Sequence, residues 1–286
     1  MTTPTEAGPT AEATTAAATD AATDAAMPSP WALVGRQVAF SARILWRDPQ
    51  ALFFSLALPL ILLVLFVAMF GNGWTESGGG RQVRASTYYV AAIVAFAVVD
   101  TSFMTLLVSV VTQRERGLLR RRALTPEPSW VLTIGTAFTV AVAGLVTVTT
   151  LLVVGWVAYG VTIPSDTLPG AVLALVVGTA SLCCVAYAVS PLVRTAEAAL
   201  PAAAAFSLPL FFISGVFSPW EFVPSTLQVV AMFFPVRPLA DALVRSFDPA
   251  TSGFGYLGRD LAIMAAWGLA GLLVARRWFR HVPTAR

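Results

Sequence analysis

Six apolar segments, each long enough to cross a lipid bilayer, dominate the sequence. At about 1.5 Å of rise per residue, a helix needs about 20 apolar residues to cross roughly 30 Å of hydrocarbon. Because lipid offers the backbone no hydrogen-bond partners, such segments are predicted to be helices. The expected fold is an all-α integral membrane protein with six transmembrane helices. The six segments cover approximately 52–70, 88–111, 131–157, 169–190, 198–217 and 257–275.

The composition excludes several kinds of chemistry. Hydrophobic residues make up 57% of the chain and charged residues only 12%. All 18 Lys+Arg residues are arginine, so these residues can form neither a P-loop nor a Schiff base. The adjacent Cys183 and Cys184 suit neither a disulfide framework nor a metal site, and are expected to be small packing residues. The sole histidine, His281, lies in a basic tail, so a membrane enzyme is not expected.

The first fifty residues differ from the rest. Residues 1–28 are rich in Ala and Thr with four acids and no base, which predicts a disordered cytoplasmic tail. Residues 29–50 predict an amphipathic interfacial helix, because apolar and basic side chains separate at about 100° per residue. An ordinary surface helix remains the alternative. Residues 51–286 then form the six-helix domain. The apolar side of the interfacial helix holds Trp31, Val34, Val38 and Leu45, and its polar side holds Arg36, Arg43 and Arg47.

Arginine distribution predicts the orientation. The N-terminal segment, the connectors 112–130 and 191–197 and the C-terminal tail together contain thirteen arginines, whereas the opposite side contains five. By the positive-inside rule, both termini are expected in the cytoplasm.

The connector between spans two and three carries five of these arginines. Its first part, Gln113 to Arg122, is predicted to continue span two into the cytoplasm until Pro126 and Pro128 break the helix. A projecting charged element favours a docking surface. A loop that only fixes the topology is the alternative.

Two motifs carry a family resemblance. Arg114-Glu115-Arg116-Gly117, followed by Thr125-Pro126, resembles the signature of ABC-2 type permeases, particularly the daunorubicin-resistance kind. The stretch Ile213 to Phe247 resembles their second hallmark. It contains Ser214-Gly215, Pro224, the prolines Pro235 and Pro238, and the spaced pair Asp241 and Arg245.

The resemblance implies an exporter permease that moves a hydrophobic or amphiphilic compound, such as a drug, antibiotic or lipid-like molecule, out of a bacterial cell. ATP and Mg²⁺ would bind a separate ABC ATPase subunit, and this chain would bind no cofactor. A homodimer or a pairing with a similar permease is expected within the bilayer, without nucleic acid. The residues implied in contact with the ATPase are Arg114, Glu115, Arg116, Gly117, Thr125 and Pro126.

The connector between spans five and six contains two apolar stretches that are too short to span, Leu227 to Phe234 and Leu239 to Phe247. With Pro235 and Pro238 between them, they predict a re-entrant helical hairpin in the outer leaflet. Asp241 and Arg245 are four residues apart, which allows an ion pair on one helix face. A structural role and a narrowing of the outer exit both remain open.

Asp100 is an acid deep within span two. A charge at that depth costs on the order of 3 kcal/mol, so the side chain is expected to face the bundle interior. Thr101, Ser102 and Thr105 are candidate hydrogen-bond partners. Contact with a translocating substrate is the alternative, in a pathway that includes Ser214 and Gly215. A proton-coupled secondary transporter using Asp100 is the second functional hypothesis.

Small residues and prolines indicate how the spans pack. Gly135, Thr139 and Ala143 predict a close helix contact on span three. Pro201 and Pro209 predict kinks in span five.

Overall fold

The computed structural model describes most of the predicted membrane domain. The described residues are 53–70, 73–77, 81–117, 129–162, 164–217, 223–248, 251 and 257–279, together with Gly35, Ala39 and Arg43. The predicted tail, most of the predicted interfacial helix, and residues 118–128 with Thr125 and Pro126 lie outside this part of the chain.

The described chain is mostly helical. A π-helical turn, Phe53–Ala57, leads into α1. Five further helices, α2 to α5 and α8, are long and apolar enough to cross a membrane, and the bent pair α6–α7 would make six if it counted as one span. The described part of α1 is shorter, so a count of six spans stays a prediction. The helices are α1 (Leu58–Phe70), α2 (Ala85–Glu115), α3 (Ser129–Tyr159), α4 (Leu168–Val189), α5 (Ala196–Ile213), α6 (Ser225–Ala231), α7 (Val236–Phe247) and α8 (Gly258–Phe279).

Helix α2 forms the centre of the bundle. About 89% of its most apolar stretch is buried inside the bundle, against 22% to 44% in the other four long helices. Its first half is almost entirely small or branched, and between Ala85 and Val99 only Thr87 is not buried. Helices α1, α3, α4, α5 and α7 pack against α2, and α8 packs against α4 and α7. Apolar side chains on the outside of the bundle stay exposed, as expected of helices in contact with lipid.

The structure also contains a short β-hairpin between α1 and α2, which was not predicted, within a chain that is otherwise helical as expected. Strand β1 (Trp74–Ser77) pairs antiparallel with β2 (Arg81–Arg84), with Trp74 opposite Arg84. The sequence between the strands is three consecutive glycines, which accept the backbone angles of a tight turn. The hairpin was missed because the two strands have only four residues each.

Glycines allow α8 to lie close against α4. A Cβ atom added to Gly271 would lie 2.8 Å from the carbonyl carbon of Cys184, and one added to Gly268 would lie 3.3 Å from the Cα atom of Ser181. Cys183 is buried in the core of the bundle, in keeping with the predicted packing role, whereas Cys184 is half-buried. The predicted contact face on α3 is also partly buried, with Gly135 and Thr139 inside. The α4–α8 contact had not been predicted.

The connector after α5 contains two helices joined by a sharp bend. Helices α6 and α7 meet at 94° across Met232–Pro235. Pro235 precedes the first residue of α7 and Pro238 lies in its first turn, where a missing N–H does not disrupt the helix. The two helices form an elbow (the α6–α7 elbow). That this elbow re-enters the membrane stays a prediction.

Candidate functional site

Helix α2 ends within the arginine-rich motif. The amide of Arg116 donates to the carbonyl of Thr112 at 3.0 Å, and that of Gly117 donates to the carbonyl of Arg114 at 3.1 Å. Gly117 then has φ +66°, the left-handed conformation that favours glycine at a helix end. A Cβ atom added to Gly117 would meet nothing within 4 Å among the described residues. The glycine is therefore required by its backbone angle and not by a neighbouring atom that leaves no room for a side chain. The prediction that this helix continues to Arg122 is wrong, because it ends at Glu115.

Arg114 binds the C-terminal end of α4. Its Nη1 atom donates to the carbonyl of Ser190 at 3.1 Å, and its Nη2 atom donates to the carbonyls of Val193 and, at 3.4 Å, Arg194. These carbonyls belong to or follow the 3₁₀ turn Ser190–Leu192 that ends the helix. The last carbonyls of a helix have no partner within it and carry partial negative charge. The guanidinium group therefore supplies both the donors and the positive charge that this helix end needs.

Glu115 binds the start of α5. Thr195 is the N-cap residue, and its hydroxyl accepts a hydrogen bond from the amide of Ala198 at 3.3 Å. The amide of Ala196, the first residue of the helix, instead donates to the Oε2 atom of Glu115 at 2.5 Å. A helix N-terminus carries partial positive charge, so a carboxylate is the favourable ligand there. Neighbouring residues of α2 thus bind the two ends of the α4–α5 connector (residues 190–196) with opposite charges.

This arrangement divides the predicted contact residues into two groups. Arg114 and Glu115 have partners within the chain, whereas the exposed Arg116 side chain has none among the described residues. Sequence reasoning had Glu115 presenting its carboxylate to another protein, and did not anticipate the amide of Ala196. The signal available in the sequence was the Thr195-Ala196-Glu197 helix start, which leaves an amide unsatisfied.

Asp100 lies where the helical hydrogen bonding of α2 changes. Residues Asp100–Thr105 form a π-helical segment, a feature that is frequent at functional sites. Asp100 is buried, and its Oδ2 atom has no hydrogen-bond partner among the described residues. The hydroxyl of Thr101, one of the predicted partners, donates to the carbonyl of Ala97 at 2.7 Å. The predicted satisfaction of this carboxylate by its neighbours is therefore incomplete.

The Ser214-Gly215 pair ends α5 on the opposite side of the molecule from Glu115. Ser214 is the C-cap residue, and Gly215 has φ +77°. The carbonyl of Gly215 accepts a hydrogen bond from the hydroxyl of Tyr88 at 2.5 Å. The carbonyl of Ser214 accepts one from the Nη1 atom of Arg237 at 2.9 Å. The two predicted pathway residues thus join α5 to both α2 and α7.

The charged residues of α7 pair differently from the prediction. Arg237 contacts Asp241 twice at 2.7 Å, through Nε and Nη2, and Arg245 contacts Asp260 on α8 at 3.5 Å. The predicted pair of Asp241 with Arg245 must therefore be corrected to Asp241 with Arg237. Arg237 is only 3% exposed, and sequence reasoning missed it. Both arginines are four residues from Asp241, so spacing alone did not distinguish them.

These features define a multi-pass membrane bundle in which charged residues at the end of α2 bind the α4–α5 connector. The model of the ABC-2 family transporter proteins matches residues 74–277. The chain therefore belongs to this family and is a membrane transport component. No curated protein matches the chain.

Proposed function

We propose that the chain is the permease subunit of an ABC exporter, which moves a hydrophobic or amphiphilic compound out of a bacterial cell with ATP hydrolysed by a separate ATPase subunit. The observation that carries this proposal is the inner end of α2. There the Arg114-Glu115-Arg116-Gly117 motif ends the most buried helix and leaves Arg116 exposed. Motion of a bound ATPase at this end would reach the centre of the bundle directly.

Two sequence features support an external source of energy and an inner-face docking site. The 286 residues contain no lysine, so they contain no P-loop for ATP. The predicted inner connectors and termini carry thirteen of the 18 arginines, which favours a cytoplasmic location for the α2–α3 connector. Thr125 and Pro126 belong to that connector, and we include them with Arg116 and Gly117 in the proposed contact with the ATPase.

The transport unit is proposed to contain two permease chains, either identical or similar, in the bacterial plasma membrane. Because α2 fills the centre of the described bundle, a drug-sized route through a single chain has little room. A route between two chains avoids this difficulty. Apolar spans favour an amphiphile, drug, antibiotic or lipid-like substrate over a polar one.

Asp100, Ser214 and Gly215 are proposed to line that route, with the α6–α7 elbow near its outer end. The unpartnered oxygen of Asp100 supports a role in contact with substrate. Family membership does not favour the alternative of a proton-coupled secondary transporter.

The proposal is tested by purifying the tagged chain from its native membrane and photolabelling the preparation with 8-azido-ATP. We expect a co-purified chain to be labelled. Vesicles that contain the complex should move rhodamine 6G or a fluorescent phospholipid only when ATP is added. Movement by the purified chain alone, driven by a proton gradient, would contradict the proposal.

Charge reversal tests the docking site. Arg116→Glu should remove the ATP-binding chain while the permease still inserts into the membrane. The matched control is Arg84→Glu, an exposed arginine at the other end of α2, which should keep that chain bound. Equal binding by both variants would argue against docking at Arg116.

A further inference from the structure

The motif residues Arg114 and Glu115 interact with their own chain although they lie next to the proposed docking site. Arg114 donates to carbonyl groups at the end of α4, and Glu115 accepts from the first amide of α5. Glu115 and Ala196 are 81 residues apart in sequence, so the contact is a tertiary one. It joins the central helix to a connector that the proposed ATPase site does not include.

We infer that Arg114 and Glu115 are positioning residues, not docking residues. They fix the α4–α5 connector to the inner end of α2, so that a displacement of α2 is passed to the N-terminus of α5. This inference rests on the proposed function and assigns separate roles to neighbouring residues of one motif. Arg116 faces the ATPase, while Glu115 passes movement within the permease.

The chemistry of the contacts fits two specific helix ends. The carbonyl end of α4 requires donors and positive charge, which a planar guanidinium supplies to several oxygens at once. The amide end of α5 requires an acceptor and negative charge, which a carboxylate supplies. Exchange of the two residue types would place like charges at both ends. The order Arg114-Glu115 is therefore matched to the direction in which the connector runs.

Folding stability does not explain the contact of Glu115 with Ala196. Glu115 is exposed, and an exposed charged contact contributes little to stability. Helix α5 is held on α2 by apolar contacts deeper in the bundle, where the ring centroids of Phe103 and Phe206 are 4.9 Å apart and Ala203 is fully buried. Loss of the carboxylate should thus leave the bundle folded and release only the end of α5.

The packing of α5 makes its inner end suitable for receiving a displacement. It contacts α2 along one face, and its buried residues Ala199, Ala203, Ser207, Leu210 and Phe211 fall on that side. Only about 28% of its most apolar stretch is buried inside the bundle. A helix that is packed on one face only can shift with modest loss of contacts. Such a shift of α5 requires that its N-terminus stay bound to α2 when α2 moves.

The test separates docking from positioning with Glu115→Ala, Glu115→Gln and the control Glu197→Gln. Glu197 is exposed in the first turn of α5 and forms no hydrogen bond or ion pair with the described residues. In each variant we measure the co-purified ATP-binding chain, phosphate release, and rhodamine 6G moved per ATP hydrolysed. The ratio of movement to hydrolysis reports coupling, which a purely structural role would not change.

We expect Glu115→Ala to keep the ATP-binding chain and its hydrolysis while movement per ATP falls about tenfold, the order of effect of a lost charge-assisted hydrogen bond. Glu115→Gln keeps an acceptor oxygen and should fall between Ala and wild type. Glu197→Gln should stay within about twofold of wild type, since the dipole effect of an exposed charge is small. Amide exchange in the peptide containing Ala196 should become faster in Glu115→Ala alone.

Two results would overturn the inference: loss of the ATP-binding chain from a folded Glu115→Ala variant, or unchanged movement per ATP in that variant. If the alanine variant does not insert, Arg114→Lys provides the same test, because it keeps the charge but not the fork across the carbonyls. Absence of an ATP-binding partner from the purified wild-type protein would refute the proposed function. Independently of that result, an unchanged rate of amide hydrogen exchange at Ala196 in Glu115→Ala would refute the positioning contact.

Discussion

Replacing Arg237 with methionine should strongly destabilise the contact between α7 and the C-terminal end of α5. The guanidinium is 3% exposed, binds Asp241 at 2.7 Å through two nitrogens and donates to the carbonyl of Ser214 at 2.9 Å. Methionine has a similar length but no donor. The variant therefore leaves a carboxylate that is 14% exposed, and a helix-end carbonyl, without this partner.

The expected cost follows from what remains buried. Removal of one partner of a buried ion pair costs about 3–5 kcal/mol, because the other charge loses its compensation. The orphaned carbonyl alone costs about 1–3 kcal/mol. The double variant Arg237→Met, Asp241→Leu also removes the carboxylate that Arg237 compensates. It should therefore be more stable than the single variant by about 2 kcal/mol.

Denaturant titration in bicelles gives the free energy of unfolding, with a thiol-reactive dye reporting exposure of the buried Cys183. The control Arg259→Met removes an exposed guanidinium and should change stability by less than about 0.5 kcal/mol. If Arg237→Met matches this control, or if the double variant is less stable than the single one, the buried pair does not have the role argued from its geometry.

Three further predictions concern the backbone of the motif, the helix packing and the buried acid. Gly117→Ala should lower the free energy of unfolding by about 1–2 kcal/mol because of the left-handed φ, and Gly117→Asn should lower it by less. Thermal unfolding of both variants checks this. An equal loss in both would mean that the added side chain, and not the backbone angle, causes the effect. Gly271→Ala should cost about 1–3 kcal/mol, since its Cβ would meet the backbone at Cys184; the exposed Ala270→Val is the matched control in the same titration. Asp100→Asn should keep or raise stability, because it removes a charge whose Oδ2 has no partner among the described residues, while lowering ATP-dependent export; unchanged export across a panel of compounds would leave Asp100 a packing role.

Several contacts were predictable from local signals. Gly117 and Gly215 both end helices with positive φ, the conformation for which glycine is favoured at such positions. The start of α7 at Pro235 was also readable, because proline lacks the amide hydrogen that a helix interior needs and is tolerated at a helix start. Each of these features depends on a few consecutive residues.

Other contacts required the arrangement of the helices. Asp241 has an arginine four residues away in either direction, and burial against the end of α5 gives Arg237 the contact with Ser214. Glu115 meets Ala196 because α2 and α5 lie side by side. The spacing of residues along one helix predicts neither the partner of Asp241 nor the contact of Glu115 with Ala196.

By itself, the sequence determined that the chain crosses a membrane as helices and which connectors carry the positive charge. Lipid imposes these features locally, since every apolar stretch must satisfy its own backbone and each charge must stay near water. Only the tertiary structure decided that α2 lies in the centre, that α8 approaches α4 through glycine, and which helix end each buried or bridging charge binds. Those outcomes depend on distances between residues far apart in sequence, and a one-dimensional pattern does not contain them.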